Sequence, residues 1–184
     1  RSNPKCPRHG EAQVLRAFLD GGLAARHLSK IEGEAKDKTV VGLNDVVISK
    51  DIISSCVRFQ VLLNDDLYAQ QIVADGLVAS TPFGSTGYYR SITHSLFRRG
   101  LGLAFNNTTD PIDHLVVEDE AEVSVRIIRG PAVLLADNGP TRVCLSRDDW
   151  VHIRKSAHEA TVVGLDIFRC PDCYRLRQEN ENPA

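Results

Sequence analysis

Short runs of alternating apolar and polar residues, cut by turn signals, constrain this chain more than any other feature. Val57, Phe59, Val61 and Leu63 alternate as a half-buried strand does, Asn64-Asp65-Asp66 supplies a turn, and residues 67–73 read as the hairpin partner. Val123, Val125 and Ile127 alternate against Glu122, Ser124 and Arg126, and Gly130-Pro131 then turns the chain into a strand over 132–135. Further strands are predicted at 46–48, 77–79, 101–105, 115–117, 142–145, 151–153 and 160–163. Turn signals recur about every eight to twelve residues, which points to a mainly β fold of the β-sandwich kind with few helices. Helices are predicted over about 11–20, in the segment after Thr86, and in the tail from Tyr174. In the first of these Val14, Leu15, Phe18 and Leu19 share a face, and Asp20-Gly-Gly22 breaks it.

Composition narrows the function classes. A chain of 184 residues can bury a real core, and 42% hydrophobic with 25% charged residues and a net charge of −2 describes an ordinary globule. That balance speaks against a nucleic-acid partner, so Arg98-Arg99 reads as a solvated face. No apolar run approaches the roughly 20 residues that span a bilayer, and no signal peptide is evident, so a cytoplasmic protein with no membrane partner is expected. The sequence has no methionine, even at its first position. We therefore expect a truncated or processed chain lacking an N-terminal α/β half, although a short protein stripped of its initiator would look the same.

The residues richest in chemistry are Asp75-Gly-Leu-Val-Ala-Ser-Thr-Pro-Phe-Gly-Ser-Thr-Gly-Tyr88. An apolar strand is stopped by Pro82 and Gly84, and Ser85 and Thr86 are good N-caps for a helix carrying Tyr89, Ile92, Thr93, Leu96 and Phe97 at helical spacing. Such a turn aims N–H groups and hydroxyls at one point, which favours an anion, and Gly84 lets a ligand approach the backbone. Asp75 adds a carboxylate suited to ribose hydroxyls or an amide. An ordinary capped strand-to-helix turn uses the same residue types.

The spelling resembles the Asp-Gly-(apolar)-Ser-Thr-Pro-x-Gly-Ser-Thr-Ala-Tyr signature of NAD kinases, agreeing at Asp75, Gly76, Ser80, Thr81, Pro82, Gly84, Ser85, Thr86 and Tyr88. Phe83 replaces a small hydroxyl residue and Gly87 an alanine. About thirty residues earlier, Asn44-Asp45 resembles that family's Asn-Glu/Asp pair, which reads the hydroxyls of NAD. Asp137 in Ala136-Asp-Asn-Gly139 is similar to a third, weaker element, and reads as a hairpin turn first and a ligand contact second.

The resemblance covers roughly residues 40–165 and implies the β-rich C-terminal domain of NAD kinases, between an N-terminal helical or linker segment over 1–39 and a cysteine-containing tail over 166–184. It implies NAD as substrate, with ATP or polyphosphate and Mg²⁺ as donor, and a homo-oligomer. The family's Gly-Gly-Asp-Gly loop, whose Asp serves as general base, does not occur in this sequence. The expectation is therefore the NAD-binding half of a kinase, inactive by itself. The other reading is a non-catalytic module that binds NAD or NADP for regulation.

The cysteines raise a separate question. Cys170-Pro-Asp-Cys173 has the spacing of a metal knuckle or a redox pair, and Cys6-Pro-Arg-His9 offers a matching Cys-x-x-His. Together they would give one tetrahedral Zn²⁺ four ligands if the termini meet; free thiols and a redox disulfide are the alternatives. Cys56 and Cys144 lie in strand patterns and are expected in the core. His94 and His114 have no motif partner.

Overall fold

The computed structural model describes residues 6, 9–168, 170–172 and 175. The chain divides into two compact units, one made of Arg1–Leu28 with Ala160–Ala184 and the other of Ser29–Glu159. The larger holds a mainly β fold of two six-stranded sheets built from antiparallel pairs. One sheet has the order β2-β1-β12-β9-β4-β5, with β1 (Ala25–Ala35), β2 (Lys38–Gly42), β12 (Trp150–Val163), β9 (Val123–Arg129), β4 (Val57–Leu63) and β5 (Asp66–Ala74). The other has the order β11-β10-β3-β6-β7-β8, with β11 (Val143–Leu145), β10 (Ala132–Ala136), β3 (Asp45–Lys50), β6 (Gly76–Ser80), β7 (Leu101–Asn106) and β8 (His114–Val117).

Alternation places one face of each sheet in a shared core. Phe59, Val61, Val125 and Ile127 come from the first sheet and Ile48, Leu77, Leu103 and Leu134 from the second, all fully buried. Phe59 and Phe105 stack with ring centroids 6.3 Å apart. Large-to-alanine changes at such positions cost about 2–5 kcal/mol.

The second sheet is covered on its other face as well. Val47, Val78 and Ala104 pack there against Tyr89, Ile92 and Phe97, so β6 is buried along its whole length and reads as a continuous apolar run. Gly102 makes this possible, because a Cβ at that position would stand 2.2 Å from the Phe97 ring and 2.8 Å from that of Tyr89. Tyr89 belongs to the short helix α2 (Tyr88–Thr93).

Several expectations are corrected. Strand β1 and the first two residues of β2 occupy the segment over 1–39 read as helical or linker, because the inward positions of β1 are Ile31, Gly33 and Ala35. Two of those three are small and carry little alternation signal; Gly33 is required, since a Cβ there would lie 2.8 Å from a Val46 methyl. The separate strands at 151–153 and 160–163 are one strand, β12, whose middle is polar and exposed. Ser85 and Thr86 do not cap a helix: they sit in a 3-10 turn over Gly84–Thr86, and Gly87 is the N-cap of an α2 that ends after six residues at His94, in the left-handed region. Cys144 is exposed and Cys56 half-buried, so neither is core. Of the tail predicted as helix from Tyr174, only Arg175 is among the described residues.

In the smaller unit, α1 (Glu11–Leu19) ends at Asp20, followed by Gly21 at φ +67, as the Gly-Gly break predicts. A four-residue helix α3 (Leu165–Phe168) was not expected, and the Gly164 N–H before it donates to the Ala24 carbonyl at 3.0 Å. Among the described residues no helix is long and apolar enough to cross a membrane.

Candidate functional site

Strand register brings the separated sequence motifs together. Strand β3 pairs with β6 so that Asp45 faces Ser80, and with β10 so that Val46 faces Ala136. Asn44-Asp45, the turn after Ser80 and Asp137 therefore meet at one end of the second sheet.

At that end the polar groups hold one another. The Asp137 carboxylate accepts the backbone N–H groups of Leu43, Asn44 and Asp45 at 2.7, 2.8 and 3.0 Å. The Asn44 carbonyl accepts the Thr81 N–H at 2.9 Å. Thr81 Oγ1 donates to the Leu43 carbonyl at 2.8 Å and accepts the Gly84 N–H at 3.1 Å. Ser80 Oγ lies 3.2 Å from the Asn44 carbonyl, and Ser85 Oγ donates to that of Pro82 at 2.8 Å. Gly84 closes the assembly, for a Cβ on it would stand 2.1 Å from the Asn44 carbonyl oxygen.

This changes the role of the hydroxyls. The sequence suggests that they point at a ligand, but Ser80, Thr81 and Ser85 are 0%, 3% and 1% exposed and are turned onto the protein's own backbone. Ser80 and Thr81 hold the Asn44-Asp45 turn in one geometry, and Ser85 holds the turn it sits in. Thr86 remains exposed, with Oγ1 only 3.4 Å from the Phe83 carbonyl, and Asn44 is half-buried. Asp45 is buried, and its carboxyl is pushed up to about 6, first by burial and then by the negative charge of Asp137.

Asp75 stands at the other end of β6, separated from Thr81 by roughly 20 Å at about 3.4 Å per residue. Its carboxylate accepts from Lys50 Nζ at 2.7 Å and Asn107 Nδ2 at 3.2 Å. The Lys50 hydrogen bond holds its pKa below the ordinary value. The Asn106 side chain, on the residue that pairs with Gly76, donates to the Tyr88 hydroxyl at 3.1 Å, so Tyr88 belongs with Asp75 and not with Thr81. Sequence reasoning missed Lys50, Asn106 and Asn107. A cation and two amides at strand ends were the available signal, and only strand pairing gives them meaning.

Beside Thr81 and Pro82 lies a cleft of about 180 Å³ lined also by Lys30, Arg98, Arg99 and Lys155. Asp119 binds Lys155 at 3.2 Å, which leaves an excess of positive charge suited to an anion. Arg98 and Arg99 are thus solvated, as expected, yet they also wall a cavity.

In the smaller unit Cys6, His9 and Cys170 converge, with their donor atoms within 4.8 Å of one another; Cys173 lies outside the described residues. His94 is exposed, and His114 packs edge-on to Tyr89 with Nδ1 2.8 Å from Asp113.

Comparison with known proteins gives this architecture a place. Residues 43–165 match the family described as ATP-NAD kinase C-terminal domain. The chain is 31% identical over 176 residues to the NAD kinase of Haemophilus influenzae, covering 91% of this chain and 59% of that protein. Among solved structures, yeast NADH kinase complexed with NADH superposes with a TM-score of 0.75 at 16% identity over 92% of this chain and 51% of that one. An NAD kinase from Archaeoglobus fulgidus in complex with ATP superposes with a TM-score of 0.68 at 20% identity over 86% and 62%. At such identities the superpositions establish the fold. The chain spans about half the length of the curated relatives it matches. A match covering most of the strands of both sheets leaves one conclusion: this chain belongs to the ATP-NAD kinase C-terminal domain family.

Proposed function

We propose that this chain binds NAD and takes part in its phosphorylation at the adenosine 2′-hydroxyl, giving NADP. The observation that carries this reading is the Asn44-Asp45 turn, clamped by Asp137 on one side and by Thr81 and Gly84 on the other. A turn whose backbone is fixed presents its carboxylate and amide to ribose hydroxyls at little backbone entropic cost. Asp75 and Tyr88, at the far end of β6, suit a second part of the same extended ligand, which a dinucleotide supplies. The NADH and ATP bound by the yeast and archaeal proteins support the ligand classes.

Phosphoryl transfer is mostly positioning and charge stabilisation. Asn44 and Asp45 orient the acceptor. The donor is ATP or polyphosphate, with Mg²⁺ entering on its phosphates. The basic cleft beside Pro82 offers an anion positive charge close to the turn. The described carboxylates do not form a resident magnesium cage, since that of Asp137 is taken by three backbone N–H groups. With no Gly-Gly-Asp-Gly in residues 1–184, the part assigned to this sequence is recognition, not proton abstraction. Copies of the chain are proposed to associate, which light scattering tests directly.

Calorimetry with NAD is the decisive experiment. Asn44→Ala and Asp75→Ala should each weaken binding about tenfold or more, as loss of a hydrogen bond to a charged or polar ligand group does. Undiminished affinity in both variants would sink the assignment. Tight binding by the chain without NADP formation under donor and Mg²⁺ would favour the regulatory module.

A further inference from the structure

The smaller unit contains a side-chain cluster that nucleotide recognition does not use. Cys6 and Cys170 come from opposite ends of the chain, are 2% and 5% exposed, and pack on each other as a core cluster of their own. His9 completes the group: its Nδ1 lies 3.8 Å from Cys6 Sγ, and all three donor atoms fall within 4.8 Å of one another. A turn closed by the His9 N–H on the Cys6 carbonyl at 3.2 Å puts both donors of Cys-x-x-His on one side of the chain. The Cys170 N–H likewise bonds back three residues, to Ile167, at 3.3 Å.

We propose that Cys6, His9 and Cys170 bind a structural zinc ion. Two thiolates and an imidazole are the donor set zinc favours over calcium or magnesium, which take oxygen. The separations suit it. Ligands about 2.3 Å (sulfur) and 2.0–2.1 Å (nitrogen) from a tetrahedral centre lie roughly 3.6 Å (sulfur to nitrogen) to 3.8 Å (sulfur to sulfur) from each other, so the 3.8 Å Cys6–His9 distance closes by about 0.2 Å and no donor pair, all within 4.8 Å, closes by more than about 1.2 Å. Burial of both sulfurs closes the site to substrate, as in structural rather than catalytic centres. Cys173, which directly follows Pro171-Asp172 in the sequence, lies outside the described residues, and the proposed site rests on the other three ligands. Binding releases the thiol protons and ties the beginning of the chain to its end, so the site should stabilise the smaller unit.

Two buried thiols beside a histidine could instead be plain packing or an oxidised pair, and the test separates these. The chain is expressed with zinc, dialysed against metal-free buffer and analysed for metals. About one zinc per chain is expected, dropping at least several-fold in His9→Ala and Cys170→Ser but not in Cys144→Ser, whose thiol is exposed. Because the first two variants also remove side chains from the cluster, wild-type apoprotein is titrated with Co²⁺ as well. A stoichiometric thiolate-to-cobalt charge-transfer band with intense tetrahedral d–d bands, displaced by Zn²⁺, is the expected result. Substoichiometric zinc with no such band overturns the proposal, as does iron in place of zinc. So does thiol counting that shows Cys6 and Cys170 joined as a disulfide in protein purified without oxidant. Removal of the metal by chelator should lower the melting temperature, and an unchanged melting temperature would remove the structural role.

Discussion

The two ends of β6 carry parts of one signature and solve opposite problems. At the Ser80 end every hydroxyl but that of Thr86 is buried and committed to a carbonyl, and Asp137 spends its carboxylate on three backbone N–H groups. At the Asp75 end the contacts run between side chains, Lys50 to Asp75, Asn107 to Asp75 and Asn106 to Tyr88, and Tyr88 is 41% exposed. The first end is scaffolding that presents a turn; the second presents its own side chains. Substitutions in the scaffold around the turn should therefore act on stability, whereas those at Asn44, which the turn presents, and at the second end should act on affinity.

The largest stability effect is expected from Gly84→Ala. Its Cβ would meet the Asn44 carbonyl oxygen, carbon and Cα at 2.1, 2.5 and 2.6 Å, all backbone atoms that cannot rotate away. A loss of at least about 3 kcal/mol in urea unfolding is expected, the range of severe overpacking. A loss below about 0.5 kcal/mol would mean that the turn is not clamped, and the contrast between the two ends would collapse.

Asp45 gives the next effect, through pH. Its carboxyl titrates at about 6 in the folded chain against 3.8 without the protein's influence, so between those values the folded state holds more protons than the unfolded. The contribution to stability is complete below about pH 4 and is lost as pH rises through 6, by at most about 3 kcal/mol and less once solvent screening is counted. Asp45→Asn should flatten that part of the stability profile between pH 4 and 8. Parallel profiles for variant and wild type would show that the site is wetter than its burial suggests. Asp137→Asn should cost about 2 kcal/mol, because one amide oxygen replaces a carboxylate serving three donors. It should also bring the Asp45 midpoint down, since one of the two causes of the shift is removed.

How far the sequence was legible follows the same division. Alternation marked β4 and β9 because their inward residues are large, and turn signals placed β5 and β10 after them; β1 stayed hidden because Gly33 and Ala35 occupy its inward positions. The signature identified the right neighbourhood but not the direction of its hydroxyls, which depends on where Leu43 and Asn44 lie in the folded chain. That is long-range information. Lys50 and Asn107 become partners of Asp75 only through strand pairing and the loop after β7, so neither stood out. Cys-x-x-His and Cys-x-x-Cys were readable as a set from local spacing, whereas the convergence of Cys6, His9 and Cys170 depended on the two ends of the chain meeting in one unit.

Asp75→Ala should have the smallest effect on stability and so gives the sharpest comparison. The ion pair with Lys50 is at the surface, with both side chains 23% exposed, and such pairs contribute about 1 kcal/mol or less. The backbone at Asp75 is independent of the side chain: its N–H donates to the Asn106 carbonyl at 2.8 Å, and its own carbonyl accepts the Lys50 N–H at 2.9 Å. The variant should therefore unfold within about 1 kcal/mol of wild type, while affinity for NAD falls about tenfold or more because the carboxylate and the orientation of Asn107 and Lys50 are lost together. Unfolding and calorimetry on the same preparation read both quantities. If stability falls as far as in Gly84→Ala, the Asp75 end is scaffold too. If neither quantity moves, recognition belongs to the Asn44 turn alone, and β6 serves only to position it.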